Sequence, residues 1–197
     1  MQPETAPRAL LMSGTGEKAF CAGGDIVSLY HAHVGNTPDK SILASFFARE
    51  YLLDYTLSQM KPLQISIWNG ICMGGGVGLT WHSPIRIATD NTMYAMPETA
   101  IGFFTDVGGS YFLPRIRNDI SLGLYLGLTG HRLKARDLVK WGVATHFVPK
   151  DRIQALYSDL GKGVSHSSTD DEILQIVNQH SDLAAKDAPI ENHDHIQ

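Results

Sequence analysis

Nowhere does this chain of 197 residues hold the ~18 consecutive apolar residues of a membrane-spanning helix. Its opening, MQPETAPRAL, has neither a hydrophobic signal core nor an Arg-rich amphipathic presequence, so no address is readable. Cysteine is scarce. Cys21 and Cys72, each beside glycine in apolar surroundings, are too few for a disulfide framework and fit a reduced intracellular protein, although their spacing leaves a single bridge open. Positive charge is also short: 16 Lys and Arg stand against 20 Asp and Glu, a formal charge of -4. General attraction to a phosphate backbone is therefore missing, and nucleic acid is disfavoured as the main ligand. What the chain does have is 43% hydrophobic residues, enough for one domain with a real core.

Leu10 to Met12 is an apolar run ended by Gly14, and Arg8–Ser13 reads as a buried strand that must lie at a sheet edge unless other strands flank it. Loop residues to Gly24 follow, then a helix from Asp25, whose side chain can cap the first free amides. GTGEK at 14–18 is similar to a piece of a phosphate loop, but the full GxxxxGK[ST] spacing is absent. His33–Lys40 reads as an exposed loop, and Ser41–Met60 as a long amphipathic helix ended by Pro62. Leu63–Asn69 alternates apolar and polar residues, a strand expected to run straight into the glycines that follow. Two short strands, Ile85–Thr89 and Met93–Ala95, flank a tight Asp90-Asn91 connection, and Gly109–Leu113 reads as an aromatic-rich turn. Ser121–Leu128 and Ala135–Trp141 are expected helices stopped by Gly130 and Gly142, and Ala144–Val148 a last strand. A weak helix follows Asp151, then TDDEILQIVNQH with acidic residues suited to a helix start, then a polar tail, DAPIENHDHIQ. The division is a core over 1–150 and a helical segment with tail over 151–197. His193 and His195 in that tail read as solvent-exposed rather than metal-binding, and no metal site is expected.

The chemistry concentrates between Asn69 and Pro114. Gly74, Gly75 and Gly76 allow backbone to approach a ligand where side chains would block it. If Gly75 opens a helix toward Trp81, its free amide is a candidate donor to developing negative charge. Glu98 and Asp106, followed by Gly108-Gly109, supply an acid, base or nucleophile. Each also has a plainer reading: Glu98 as a helix-start carboxylate, Asp106 as a turn residue, and Glu50, beside Arg49, as part of a solvated helix face. His82 and His146 read as hydrogen-bonded structural histidines, and the cysteines as small apolar packing residues.

KAFCAGGDI at 18–26, NGICMGGGVGL at 69–79, AMPETAIGFFTDVGGSYFLPR at 95–115 and GHRLKARDLVKWGVATHFV at 130–148 together resemble the crotonase (enoyl-CoA hydratase/isomerase) superfamily, and within it the 3-hydroxyisobutyryl-CoA hydrolase branch. The resemblance implies an α/β fold, a spiral of ββα turns incomplete at both ends of this sequence. It also implies coenzyme A thioester substrates, with coenzyme A as part of the substrate and no separate cofactor. Carried onto matching positions, it places an oxyanion hole at the Gly24 and Gly75 amides, catalytic carboxylates at Glu98 and Asp106, and substrate contacts at Glu50, Gly75, Glu98 and Asp106. Hydratases of the superfamily carry a second glutamate where this sequence has Gly78, which should lower hydration by ~10²-fold or more. Hydrolysis of a 3-hydroxyacyl-CoA, within valine catabolism in mitochondria, is the implied activity. Thr105 and Phe103-Phe104 depart mildly from the hydrolase pattern, which has proline before the aspartate and Leu-Phe earlier. Two alternatives come with the same kinship: a non-catalytic subunit of a larger assembly such as a mitochondrial ribosomal small subunit, and an enoyl-CoA isomerase or hydratase. The expected partners are the acyl-CoA and either further copies of the chain or an assembly supplying the segments that relatives have on either side.

Overall fold

A computed structural model describes residues 6–37 and 40–186. The tail at 187–197, with His193 and His195, and positions 38–39 of the expected loop lie outside these residues. In chain order the elements are β1 (Ala9–Ser13), β2 (Ala19–Cys21), α1 (Ile26–Val34), α2 (Ser41–Ser58), β3 (Leu63–Trp68), β4 (Ile71–Met73), α3 (Gly75–Thr80), β5 (Ile85–Ala88) and β6 (Met93–Ala95). A 3-10 turn (Glu98–Ile101) leads to α4 (Gly109–Phe112), α5 (Ile120–Thr129), β7 (Leu133–Lys134), α6 (Ala135–Lys140), β8 (His146–Phe147), α7 (Ile153–Gly163) and α8 (Asp170–His180).

Eight strands form two four-stranded sheets, ordered β1-β3-β5-β8 and β2-β4-β6-β7. All pairs are parallel except β6 with β7. From β1 to β6 successive strands thus alternate between the sheets, so each turn of chain lays one strand in each before a helical segment returns it; β7 stays beside β6 in the second sheet and β8 rejoins the first. This is the ββα spiral the resemblance implied; among the described residues β1 lies at the sheet edge, and it is half-exposed rather than buried as expected.

Alternation between sheets corrects several expectations. β3 does not run into the glycine triplet: the chain crosses at Asn69-Gly70, with Gly70 at φ +98°, and β4 in the other sheet delivers the triplet. Nor is β3 half exposed. It lies between β1 and β5 with every residue buried, its polar side chains tied internally by Gln64 Nε2 donating to the Leu57 carbonyl (2.6 Å) and by a Ser66–Ser83 hydroxyl pair (2.6 Å). β2, at Ala19–Cys21 within the expected loop, went unread because three residues carry no periodicity. The Asp90-Asn91 turn joins strands of different sheets, tied by the Thr89 amide donating to Thr92 Oγ1 (2.7 Å). α1 runs one residue past His33, to Val34, and the 109–112 turn is a short helix.

Two apolar cores hold the layers. One, around Trp68, Tyr94, Phe112 and Leu138, lies under the glycine-rich region. The other joins Ile65, Ile67, Ile85 and Ile87 to Ile153, Leu156, Leu160, Ile173 and Val177, so α7 and α8 cover the first sheet. At ~1.5–3 kcal/mol for each fully buried side chain, that seam is a substantial part of the stability. α8 starts on a capping box, Glu172 N donating to Thr169 Oγ1 (3.2 Å) and Thr169 N to Glu172 Oε2 (2.7 Å), as its acidic start suggested.

Candidate active site

Local sequence explains how the triplet is presented. Gly74, at φ +51° and ψ -120°, adopts a conformation open to glycine and strained for other residues, and its amide donates to the Ala95 carbonyl of β6 (3.3 Å). Gly75 then opens α3 as expected, so its amide has no intrahelical acceptor. α3 spans six residues, which leaves little macrodipole; what the turn supplies is the bare amide itself. Its far end is anchored by Trp68 Nε1 donating to Thr80 Oγ1 (3.0 Å), whose hydroxyl in turn donates to the Gly76 carbonyl (2.9 Å).

α2 crosses this glycine surface on a narrow stripe, Phe46, Glu50, Asp54 and Leu57, spaced for one helix face. Side chains of this stripe fill the space that a β-carbon would need: the Phe46 ring at Gly24, Glu50 Oε1 at Gly75 and Asp54 Oδ2 at Gly78. Its buried residues are Asp54 and Leu57, while Tyr51, Leu52, Leu53 and Tyr55 are exposed. The expected amphipathic pattern therefore misassigns the helix, because the face in contact carries two carboxylates and much of the apolar remainder faces outward.

A cavity of about 380 Å³ opens where these parts meet, lined by Gly24, Glu50, Gly75, Glu98 and Asp106, with Phe46, Phe47 and Phe103 as aromatic wall. All five residues singled out in the sequence thus border one space. Gly24 and Gly75 are adjacent: a β-carbon on Gly75 would lie 3.6 Å from the Gly24 amide nitrogen. Glu98 Oε1 reaches the same turn, at 2.9 Å from where a β-carbon on Gly74 would sit.

Burial acts strongly on Glu98. It is 7% exposed, its Oε2 has no hydrogen-bond partner among the described residues, and burial, with smaller contributions from Asp106 and Glu50, raises its pKa to about 7. Losing water penalises the charged form, and nearby carboxylates add to the penalty. Glu50 is raised by burial and then by Asp106. Asp106 is half-buried and accepts a hydrogen bond from the Tyr51 hydroxyl at 2.7 Å. Its loop is held by Thr105 Oγ1 donating to the Gly127 carbonyl (3.0 Å), and Val107 next to it sits at φ +45°, a left-handed conformation unusual for a β-branched residue.

Two residues here escaped sequence reading. Tyr51 had no signal beyond a place among the apolar positions of an amphipathic helix. Asp54, one turn beyond Glu50, is 8% exposed with neither oxygen partnered among the described residues; burial, then Glu50 and Asp106, raise its pKa to about 7. His82 has its pKa lowered by burial and then by Arg86, and His146 Nδ1 pairs with Thr145 Oγ1 at 2.7 Å. Neither histidine borders the cavity. Cys21 and Cys72 are free thiols paired in register across β2 and β4. Among the described residues no cluster of His, Cys, Asp and Glu is arranged to hold a metal ion.

Comparison with known proteins follows the same lines. The protein named mitochondrial 3-hydroxyisobutyryl-CoA hydrolase in Dictyostelium discoideum is 51% identical over 155 residues, covering 77% of this chain and 40% of that protein. Its namesake from Danio rerio is 46% identical over 180 residues, 91% of this chain and 45% of its own length. A solved carnitinyl-CoA dehydratase from Mycobacterium thermoresistibile superposes with a TM-score of 0.74 at 36% identity, over 89% of this chain and 48% of that one. The chain therefore spans about half, or less, of the length of the relatives it matches. With alternating sheets, a glycine-lined cavity and a sequence profile described as enoyl-CoA hydratase/isomerase matching residues 1–197, the chain belongs to the enoyl-CoA hydratase/isomerase family.

Proposed function

We propose that the protein hydrolyses a 3-hydroxyacyl-CoA thioester, 3-hydroxyisobutyryl-CoA, with Glu98 as general base. The observation that carries this reading is a buried carboxyl, its Oε2 without a hydrogen-bond partner among the described residues and its pKa raised to about 7, set beside two adjacent glycine amides. A base poised near neutrality matches proton transfer at working pH. The thioester oxygen would lie against the Gly24 and Gly75 amides. Glu98 takes a proton from water as the water oxygen bonds to the carbonyl carbon, and the two amides hold the resulting oxyanion. When the carbon–sulfur bond breaks, the proton on Glu98 passes to the departing sulfur, leaving the free acid and coenzyme A thiol. Asp106 and Glu50 would receive the hydroxyl end of the acyl group. Coenzyme A arrives with the substrate, and no separate cofactor is called for.

Hydration is the reading that Gly78 disfavours. A β-carbon at Gly78, where hydratases carry their second glutamate, would lie 2.5 Å from the Val107 β-carbon and 3.0 Å from Asp54 Oδ2. The names of the Dictyostelium and Danio relatives support both the substrate and a mitochondrial location. Thiol release from 3-hydroxyisobutyryl-CoA tests the reading: wild-type protein should turn it over, Glu98→Gln should lose ~10²-fold or more, and neither should hydrate an enoyl-CoA. Loss of enoyl absorbance without thiol release would replace hydrolase by hydratase.

A further inference from the structure

The Tyr51 hydroxyl donates to Oδ2 of Asp106 at 2.7 Å, and Asp106 Oδ1 receives no hydrogen bond from the described residues. An aspartate's terminal torsion is soft and roughly two-fold, so an unpinned carboxylate would present either oxygen in several orientations. The phenol removes that freedom. Tyr51 is itself held: its ring lies 5.8 Å from Phe47, which stacks on Phe103 at 5.6 Å and 20°. This ladder joins α2 to the loop that carries Asp106, with Phe47 and Phe103 in the cavity wall.

We propose that Tyr51 is a positioning residue that makes the site selective for acyl groups bearing a hydroxyl, by committing Asp106 Oδ2 and leaving Oδ1 as the oriented acceptor for that hydroxyl. This rests on the thioesterase reading above and on Asp106 facing the hydroxyl end of the substrate. Asp106 borders the cavity and Tyr51 beside it is 38% exposed, so substrate entry would cover the bond. A hydrogen bond to a charged group gains strength as water is excluded. Burial and the bond to Asp106 raise the phenol's pKa far above its usual range, which keeps it a donor throughout the working pH range.

The test compares two probes differing only in the hydroxyl, 3-hydroxyisobutyryl-CoA and isobutyryl-CoA, in wild type and Tyr51→Phe. Phenylalanine keeps the ring ladder and removes only the donor. The expected result is a loss of about tenfold or more in kcat/KM for the hydroxylated substrate and less than about twofold for isobutyryl-CoA, so that the wild-type preference collapses. Turnover of isobutyryl-CoA by the variant also shows that it folds. Equal proportional losses on both substrates, no loss on either, or a wild type without preference would overturn the role of Tyr51. A wild type inert toward both probes would instead overturn the thioesterase reading.

Discussion

Four carboxylates, Glu50, Asp54, Glu98 and Asp106, and one phenol share a small volume, and three of the four have pKa values raised chiefly by burial. A protein keeps such a cluster only at some expense in stability. In Asp54 the cost is separable from the chemistry, because its oxygens have no partner among the described residues and it does not border the cavity. An unfolded aspartate has a pKa of ~3.9, whereas the folded group titrates at about 7. Between those values the folded state keeps a proton the unfolded chain has released, so stability falls as pH rises through this window and levels off above it. Asp54→Asn removes Asp54's share of the dependence and leaves that of Glu98 and Glu50. The variant should match wild type near pH 4 and gain roughly 1–3 kcal/mol by pH 8, read from denaturant midpoints. A gain equal at pH 5 and pH 8 would show that Asp54 is not held protonated.

Among the elements, the contact of α2 with the glycine turns does most to shape the site. A β-carbon at Gly24 or Gly75 would clash with the Phe46 ring or with Glu50 Oε1, and one at Gly78 would lie 3.0 Å from Asp54 Oδ2 and 2.5 Å from the Val107 β-carbon. Gly78 is the informative one, since glycine inside a helix costs ~1 kcal/mol relative to alanine and is kept here for space. Gly78→Glu should therefore not recreate a hydratase. The new β-carbon meets Val107 at 2.5 Å, and we expect roughly 1–3 kcal/mol of destabilisation, seen as a lower denaturant midpoint, with no enoyl-CoA hydration. A stable variant that hydrates would show that the Val107 turn yields easily. The same contact marks the limit of what the sequence discloses. Gly75, Glu98 and Asp106 are legible because a glycine triplet and two carboxylates stand in one short stretch, and Gly24 and Glu50 through kinship. Tyr51 and Asp54 are not, since nothing in the run YLLDY tells an inward aspartate from a solvated one. β2 and β4 are too short for periodicity, and β3 defeats its own alternation by being covered on both faces.

Across the whole molecule, the spiral carries its glycine turns and the 98–106 loop to one side of the second sheet, while α7 and α8 close the first sheet. Chain direction follows from this arrangement: β2 ends before Gly24, β4 before Gly75 and β6 before Glu98, so three parallel neighbours deliver three functional groups at the same strand ends. That convergence sets the Gly24 and Gly75 amides beside the Glu98 carboxyl, and the proposed mechanism predicts how activity varies with pH. Glu98 must be ionised to accept water's proton, and its pKa is raised to about 7. The most direct measurement is kcat/KM for thiol release from 3-hydroxyisobutyryl-CoA across pH 5 to 9. The account predicts a rate that climbs through an acidic limb centred near 7 and is lost in Glu98→Gln; a wild-type rate flat from pH 5 upward, or unaffected by Glu98→Gln, would contradict it.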